Sequence, residues 1–123
     1  MAHVLIVDDS TTALRALESL LKSDGHEVTC AENGMQGLLK AVGRPFDMVI
    51  SDVDMPRMNG FELIRNIKKH AELSHLPVII VSYKFTEADR LEGLEAGADY
   101  YLSKTDFDDN TLIDAVIDLI GEP

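Results

Sequence analysis

Three uninterrupted apolar runs narrow the folds open to this chain more than any other feature: Val4-Leu5-Ile6-Val7, Met48-Val49-Ile50 and Val78-Ile79-Ile80-Val81. Each has the length of a strand, and none alternates apolar with polar residues, which is the pattern of strands buried on both faces. Such strands need helices above and below them, and parallel pairing needs a crossover between each strand and the next. The intervening segments have the spacing of helices. From Thr11 to Asp24 the residues Ala13, Leu14, Leu17, Leu20 and Leu21 form a helical stripe, with Ser10 as N-cap and Gly25 just past the end.

Two further strands are expected at Glu27–Ala31 and Tyr100–Leu102. A second helix is expected over Asn33–Gly43, with Met35, Leu38, Leu39 and Val42 as its inward stripe, stopped by Gly43-Arg44-Pro45. A third is marked by Phe61, Ile64 and Ile67, with Lys68, Lys69 and His70 near its C-terminal end. A fourth opens on a capping box, Thr86 with Asp89, and continues through Leu91 and Leu94 to Gly97. The last spans Asp109 to Ile120, with Leu112, Ile113, Val116, Ile117 and Ile120 facing inward, and Gly121 ends it. Pro77 enters the fourth strand at its first position, where a missing N–H does no harm. Five strands alternating with five helices give a doubly wound α/β domain with a parallel sheet, since βαβ crossovers are right-handed.

Four of the five strands deliver a polar group at their C-terminal tip. The first supplies Asp8 and Asp9, the third Asp52, the fourth Ser82, and the fifth Lys104. In a parallel sheet these tips share one edge, where open α/β sheets bind ligands. Three carboxylates gathered there repel one another unless a cation intervenes. Mg²⁺ suits such oxygen donors and leaves coordination positions for a phosphate. A lysine and a hydroxyl can then hold phosphoryl oxygens, so the set fits phosphoryl transfer to a carboxylate nucleophile. Taken singly, each residue has a plainer role: Asp8, Asp9 and Ser10 can cap a helix, Ser82 can serve a turn, and Lys104 can be a solvated charge. Their joint order carries the specificity.

The residues VDDS, ISDVDMPRMNG, VIIVS and YYLSK make the chain similar to the receiver domains of two-component response regulators, the CheY-like family, over essentially its whole length. The resemblance implies a flavodoxin-like sheet of order 2-1-3-4-5 and a single receiver domain over residues 1–123. It implies that Asp52 is the phosphoacceptor. It also implies that Asp9 binds Mg²⁺ directly, that Asp8 does so through water or as support, and that the Asp54 backbone carbonyl is a further ligand. Ser82 and Lys104 would contact phosphoryl oxygens, and Tyr101 would change rotamer with phosphorylation. A histidine kinase is the implied phosphodonor, and a downstream target protein reads the result. The chain would catalyse its own phosphorylation and dephosphorylation without being a conventional enzyme. The VSYK, GLEAGADYYLSK and FDDNTL segments resemble receivers of chemotaxis-type, CheA-like hybrid kinases.

Two positions depart from the family pattern. Tyr83 stands where a small residue usually follows the hydroxyl, and it is expected to shield the phosphate from water and slow its loss. Thr105 follows Lys104 where proline is usual, so the local loop geometry is expected to differ.

Two other readings fit parts of the chain. Asp52-Val53-Asp54 also fits a haloacid-dehalogenase-type phosphatase, although that motif belongs after a first strand. A pseudo-receiver that binds without phosphorylation is the remaining alternative. No GxxxxGK or GxGxxG loop is present. The histidines are expected at the surface, since His70 and His75 lack zinc-protease spacing.

The net charge of −11 disfavours direct binding to nucleic acid or anionic membranes. The single cysteine, Cys30, rules out an internal disulfide and fits a reducing compartment. No signal peptide or membrane span is evident, so a cytoplasmic location is expected. Only Glu122 and Pro123 follow the last helix, so no output domain is expected in this chain.

Overall fold

The computed structural model describes residues 2–105 and 108–121. Five strands, β1 (His3–Val7), β2 (Glu27–Ala31), β3 (Met48–Ser51), β4 (Val78–Ser82) and β5 (Tyr100–Ser103), alternate with five helices. The helices are α1 (Thr11–Ser23), α2 (Gly34–Gly43), α3 (Gly60–Lys69), α4 (Glu87–Ala96) and α5 (Asp109–Ile120). The sheet is parallel throughout, in the order β2-β1-β3-β4-β5. β1, β3 and β4 fill its centre, and their apolar residues are buried on both faces, as the continuous runs predict. Phe107, which opens the FDDNTL segment, lies outside the described residues, as do Glu122 and Pro123.

Two cores flank the sheet. One joins α1 and α5 to Val4, Ile6, Ile50, Ile79 and Val81. The other joins α2, α3 and α4 to Leu5, Val7, Val49, Val78 and Ile80. Alternate residues of each strand point to opposite faces, which divides the runs between the two cores.

The expected helix ends are found. The Ser10 hydroxyl accepts from the Ala13 N–H at 3.2 Å. At the other end of α1 the chain turns through Gly25 at φ 91°, and the His26 N–H donates to the Leu21 carbonyl while the Gly25 N–H donates to Lys22. This is a Schellman closure, which needs the left-handed conformation glycine adopts freely. Thr86 and Asp89 form the expected capping box at α4. Asn59 and Glu62 form a second one at α3, at a place where the sequence suggested only a turn.

Three expectations are corrected. In α2, Met35, Leu39 and Val42 point outward, 41, 66 and 53% exposed, and only Leu38 of the expected stripe packs against the core. The buried face of α2 is instead Gly34, Gly37 and Ala41. A Cβ on Gly34 would sit 2.2 Å from the Met58 carbonyl oxygen, and one on Gly37 would sit 2.8 Å from the Val7 side chain. The helix lies too close to its neighbours for large residues on that side. In α5 Leu112, Ala115 and Val116 are fully buried, and Ile113 and Ile120 pack half-buried against the same core, so only Ile117 departs from the expected inner face. Among the histidines, His26 is buried, with Nε2 3.3 Å from the Asp24 carboxylate, because the α1 closure turns it inward.

Candidate functional site

The parallel sheet carries all five expected groups to one edge. Asp8 and Asp9 follow β1, Asp52 follows β3, Ser82 ends β4, and Lys104 follows β5. Asp8 is 1% exposed and Asp52 8%, whereas Asp9 is exposed. One carboxylate oxygen from each of the three lies within 4.8 Å of the others.

Lys104 ties the cluster together. Its ammonium donates to Asp8 Oδ2 at 2.8 Å and to Asp52 Oδ2 at 3.2 Å. Both oxygens of Asp8 are engaged, because Oδ1 accepts the Ser10 N–H at 2.9 Å. Asp52 Oδ1 accepts the Val53 N–H at 2.7 Å. Burial is the main cause that raises the Asp8 pKa, and the Asp52 charge adds to it against the opposing hydrogen bonds from Lys104 and Ser10. Mutual repulsion, expected as the leading effect, is therefore secondary at Asp8. Burial alone would lower the Lys104 pKa, but the two carboxylates together outweigh it and raise it, so the ammonium stays charged.

The loop after β3 holds Asp52 in place. Gly60 donates its N–H to the Val53 carbonyl at 2.9 Å, and a Cβ on it would sit 2.1 Å from the Asp52 carbonyl oxygen. Only glycine fits there. Sequence reasoning treated Gly60 as part of a turn and missed this role, although its place after Asn59 was a usable signal. Between these points the chain makes a tight reversal, in which the Met58 N–H donates to Pro56 and Arg57 adopts φ 71°.

A cavity of about 470 Å³ opens over the cluster. Asp9, Asp52, Asp54, Ser82 and Lys104 line one part, and Ala13, Leu17 and Val81 line another. Tyr83 forms part of its rim, 73% exposed, with the Lys104 ammonium 5.3 Å from its ring centroid. Every described peptide bond is trans, including the one between Lys104 and Thr105.

Ser82 is buried, and its hydroxyl accepts the Lys84 N–H at 3.1 Å. Tyr101 is buried too, its hydroxyl donating to the Lys84 carbonyl and its ring packed edgewise on Phe85 at 5.5 Å. Gly93 of α4 lies against that ring, where a Cβ would approach to 2.7 Å. Thus Ser82 and Tyr101 both bond to the backbone of Lys84.

The donors fit a hard divalent cation: they are carboxylate oxygens, with no thiolate or imidazole among them, and a single ammonium faces two of the three acids.

Comparison with known proteins agrees with this arrangement. Protein PilH of Pseudomonas aeruginosa is 43% identical over 94% of this chain and 95% of its own length. The gliding motility regulatory protein of Myxococcus xanthus is 37% identical over 93% of this chain, which spans only 15% of that larger protein. The chemotaxis protein CheY4 of Vibrio cholerae superposes with a TM-score of 0.89 at 33% identity, covering 97% of this chain and 98% of CheY4. A receiver domain from a Pseudomonas aeruginosa sensor histidine kinase, solved with a magnesium ion in its active-site cleft, superposes at 0.90 with 26% identity, covering 98% of each chain. The response regulator receiver domain profile matches residues 4–117. This match sets aside the dehalogenase-type alternative, whose motif would also need to follow the first strand rather than the third. The chain therefore belongs to the receiver domain family of two-component response regulators, whose members are phosphoacceptor switches.

Proposed function

We infer that Asp52 is the phosphoacceptor of this receiver and that residues 1–123 work as one receiver domain. The observation that carries this is the Lys104 ammonium bridging Asp8 and Asp52 beside the exposed Asp9 carboxylate. Asp8, Asp9, Asp52 and the Asp54 backbone carbonyl would hold Mg²⁺, with Asp8 acting through water or as support. Mg²⁺, when bound, offsets negative charge on the phosphoryl oxygens. An Asp52 oxygen forms the new P–O bond as the P–N bond of a phosphohistidine breaks, and the electron pair leaves on the imidazole nitrogen. Lys104 shifts from Asp52 to a phosphoryl oxygen, and the Ser82 hydroxyl donates to another. The same groups hold the site for attack by water, so the chain catalyses both its own phosphorylation and its own dephosphorylation.

The switch runs through Lys84. Drawing Ser82 toward the phosphoryl group pulls on the segment whose carbonyl holds the Tyr101 hydroxyl. Tyr101 is already buried with its hydroxyl on that carbonyl, so the pull fixes its position, and the surface around α4, β5 and α5 changes for a target protein. Tyr83 on the rim slows water's access to the phosphoryl group. The phosphodonor is a histidine kinase, in a chemotaxis-type pathway. The setting is cytoplasmic; among the described residues no helix is long and apolar enough to cross a membrane.

The test is incubation with Mg²⁺ and a small acyl-phosphate donor, followed by intact mass measurement. One phosphoryl adduct on the parent and none on Asp52→Asn is expected. An adduct that persists in Asp52→Asn refutes the assignment. No adduct on the parent, from either the small donor or a histidine kinase, points instead to a pseudo-receiver.

A further inference from the structure

Helices α2 and α4 each present an apolar stripe to solvent, and their charges are opposite. On α2 the stripe is Met35, Leu39 and Val42, spaced as one helical face. No acidic residue lies within Gly34–Gly43, although the chain has 22 acids against 11 bases. The charged residues on the helix and at its end are Lys40 and Arg44, both exposed; acids nearby are the exposed Glu32 before the helix and Glu72, which lines the cavity beside Arg44. Lys40 donates to the Cys30 carbonyl at 2.6 Å, which leaves its charge uncancelled. The stripe runs on into a cavity of about 370 Å³ at the end of α2, lined by Val42, Phe46 and Leu73.

On α4 the stripe is Leu91 and Leu94, 54 and 50% exposed. Exposed acids flank it at Glu87, Glu92 and Glu95. Glu92 pairs with Arg65 at 3.1 Å, and the one base on the helix, Arg90, lies over the Phe85 ring at 5.6 Å. Glu87 and Glu95 have no such partner among the described residues.

α3 lies between these helices within one chain, packed against both. The two stripes therefore cannot meet within one molecule, but they can meet between two. We propose that the chain self-associates head to tail, the α2 face of one copy seating on the α4 face of the next. Leucines on one side meet Met35, Leu39 and Val42 on the other, and glutamates meet Lys40 and Arg44. The contact is heterologous, so each copy keeps one free half and assembly propagates beyond a dimer. Two short helix faces bury less than the roughly 1,200 Å² of a stable specific interface, so the association is weak and reversible. Added salt acts both ways, screening the exposed ion pairs and also the repulsion between copies that each carry a net charge of −11.

Sedimentation velocity on the full chain, from micromolar to millimolar concentration, tests this. The weight-average mass is expected to rise by roughly twofold or more with concentration. Leu39→Glu breaks the α2 half and Leu94→Lys the α4 half; each side chain is exposed, and circular dichroism checks that the fold is kept. Each variant alone is expected to be monomeric. An equimolar mixture is expected to form a 1:1 dimer and stop there, because it retains one intact half from each partner. A wild-type chain that stays monomeric at millimolar concentration overturns the proposal and leaves the α2 face to a different, acidic partner. Undiminished association of Leu94→Lys alone overturns it in favour of an α2-to-α2 pair. A mixture that stays monomeric while the wild type associates also overturns it.

Discussion

Helices α2 and α3 are neighbours of equal length, ten residues each, on the same side of the sheet, and they use their large apolar residues in opposite ways. α3 turns Phe61, Leu63, Ile64 and Ile67 into the core. α2 buries Gly34, Gly37 and Ala41 and leaves Met35, Leu39 and Val42 in water. The difference is one of distance. Beyond Gly60, α3 fills the space against the sheet with long side chains. α2 lies so close to Val7, Leu63 and Met58 that hydrogen atoms fill the gap. A hydrophobic stripe read from spacing locates a face, but the size of the residues decides whether that face can be the buried one.

If that account is right, the largest effect belongs to α3. Ile64→Ala removes a side chain with no exposed surface, and should cost about 3 kcal/mol through lost burial and the cavity left behind. Urea unfolding monitored by circular dichroism checks it; a cost below about 1 kcal/mol would mean the α3 side of the core is loosely packed. Next comes the smallest possible enlargement on α2. Gly34→Ala places a methyl group against the backbone carbonyl of Met58, which cannot yield as a flexible side chain would. Overpacking of this kind should cost about 2 kcal/mol, despite alanine's better helix propensity. A stabilised Gly34→Ala protein would show that α2 has room to retreat.

The caps give a third, smaller contrast. Asn59 and Glu62 satisfy each other's backbone N–H at α3, whereas Asn33 makes only its own cap bond, to the Gln36 N–H at 2.9 Å. Asn59→Ala should therefore cost about 1 kcal/mol, measured in the same urea titration. It should also loosen the Asp52 loop, because Gly60 follows Asn59 directly and abuts the Asp52 carbonyl.

The same contrast explains what could be read from sequence. The strands were legible because β1, β3 and β4 are apolar without interruption, and only a doubly covered sheet accommodates that. The site was legible because each polar group stands at the C-terminal tip of a strand, and parallel pairing brings Asp8, Asp52, Ser82 and Lys104 to one edge whatever the helices do. The outward face of α2 was not legible, because nothing in the spacing of Met35, Leu39 and Val42 states how near the sheet comes. His26 was misplaced for a related reason: its burial follows from the three-dimensional closure around Gly25, not from its own polarity. Gly60 hid in a turn signal, since a glycine needed for close approach reads the same as one needed for a bend.

The smallest expected effect is the most telling. Leu39 is 66% exposed, so Leu39→Ala removes little buried area from the single chain. Its effect on stability, measured at micromolar concentration where copies are apart, should stay within about 0.5 kcal/mol. Leu63 of α3, with no exposed surface, could not be lost so lightly. A cost above about 1 kcal/mol would mean that Leu39 packs within its own molecule, and that α2 and α3 differ less than their burial indicates. Near-neutrality, by contrast, removes intramolecular packing as the reason for three large apolar residues on one acid-free face. That outcome leaves the proposed contact between molecules to be read by sedimentation, because a folding measurement on separated chains cannot register it.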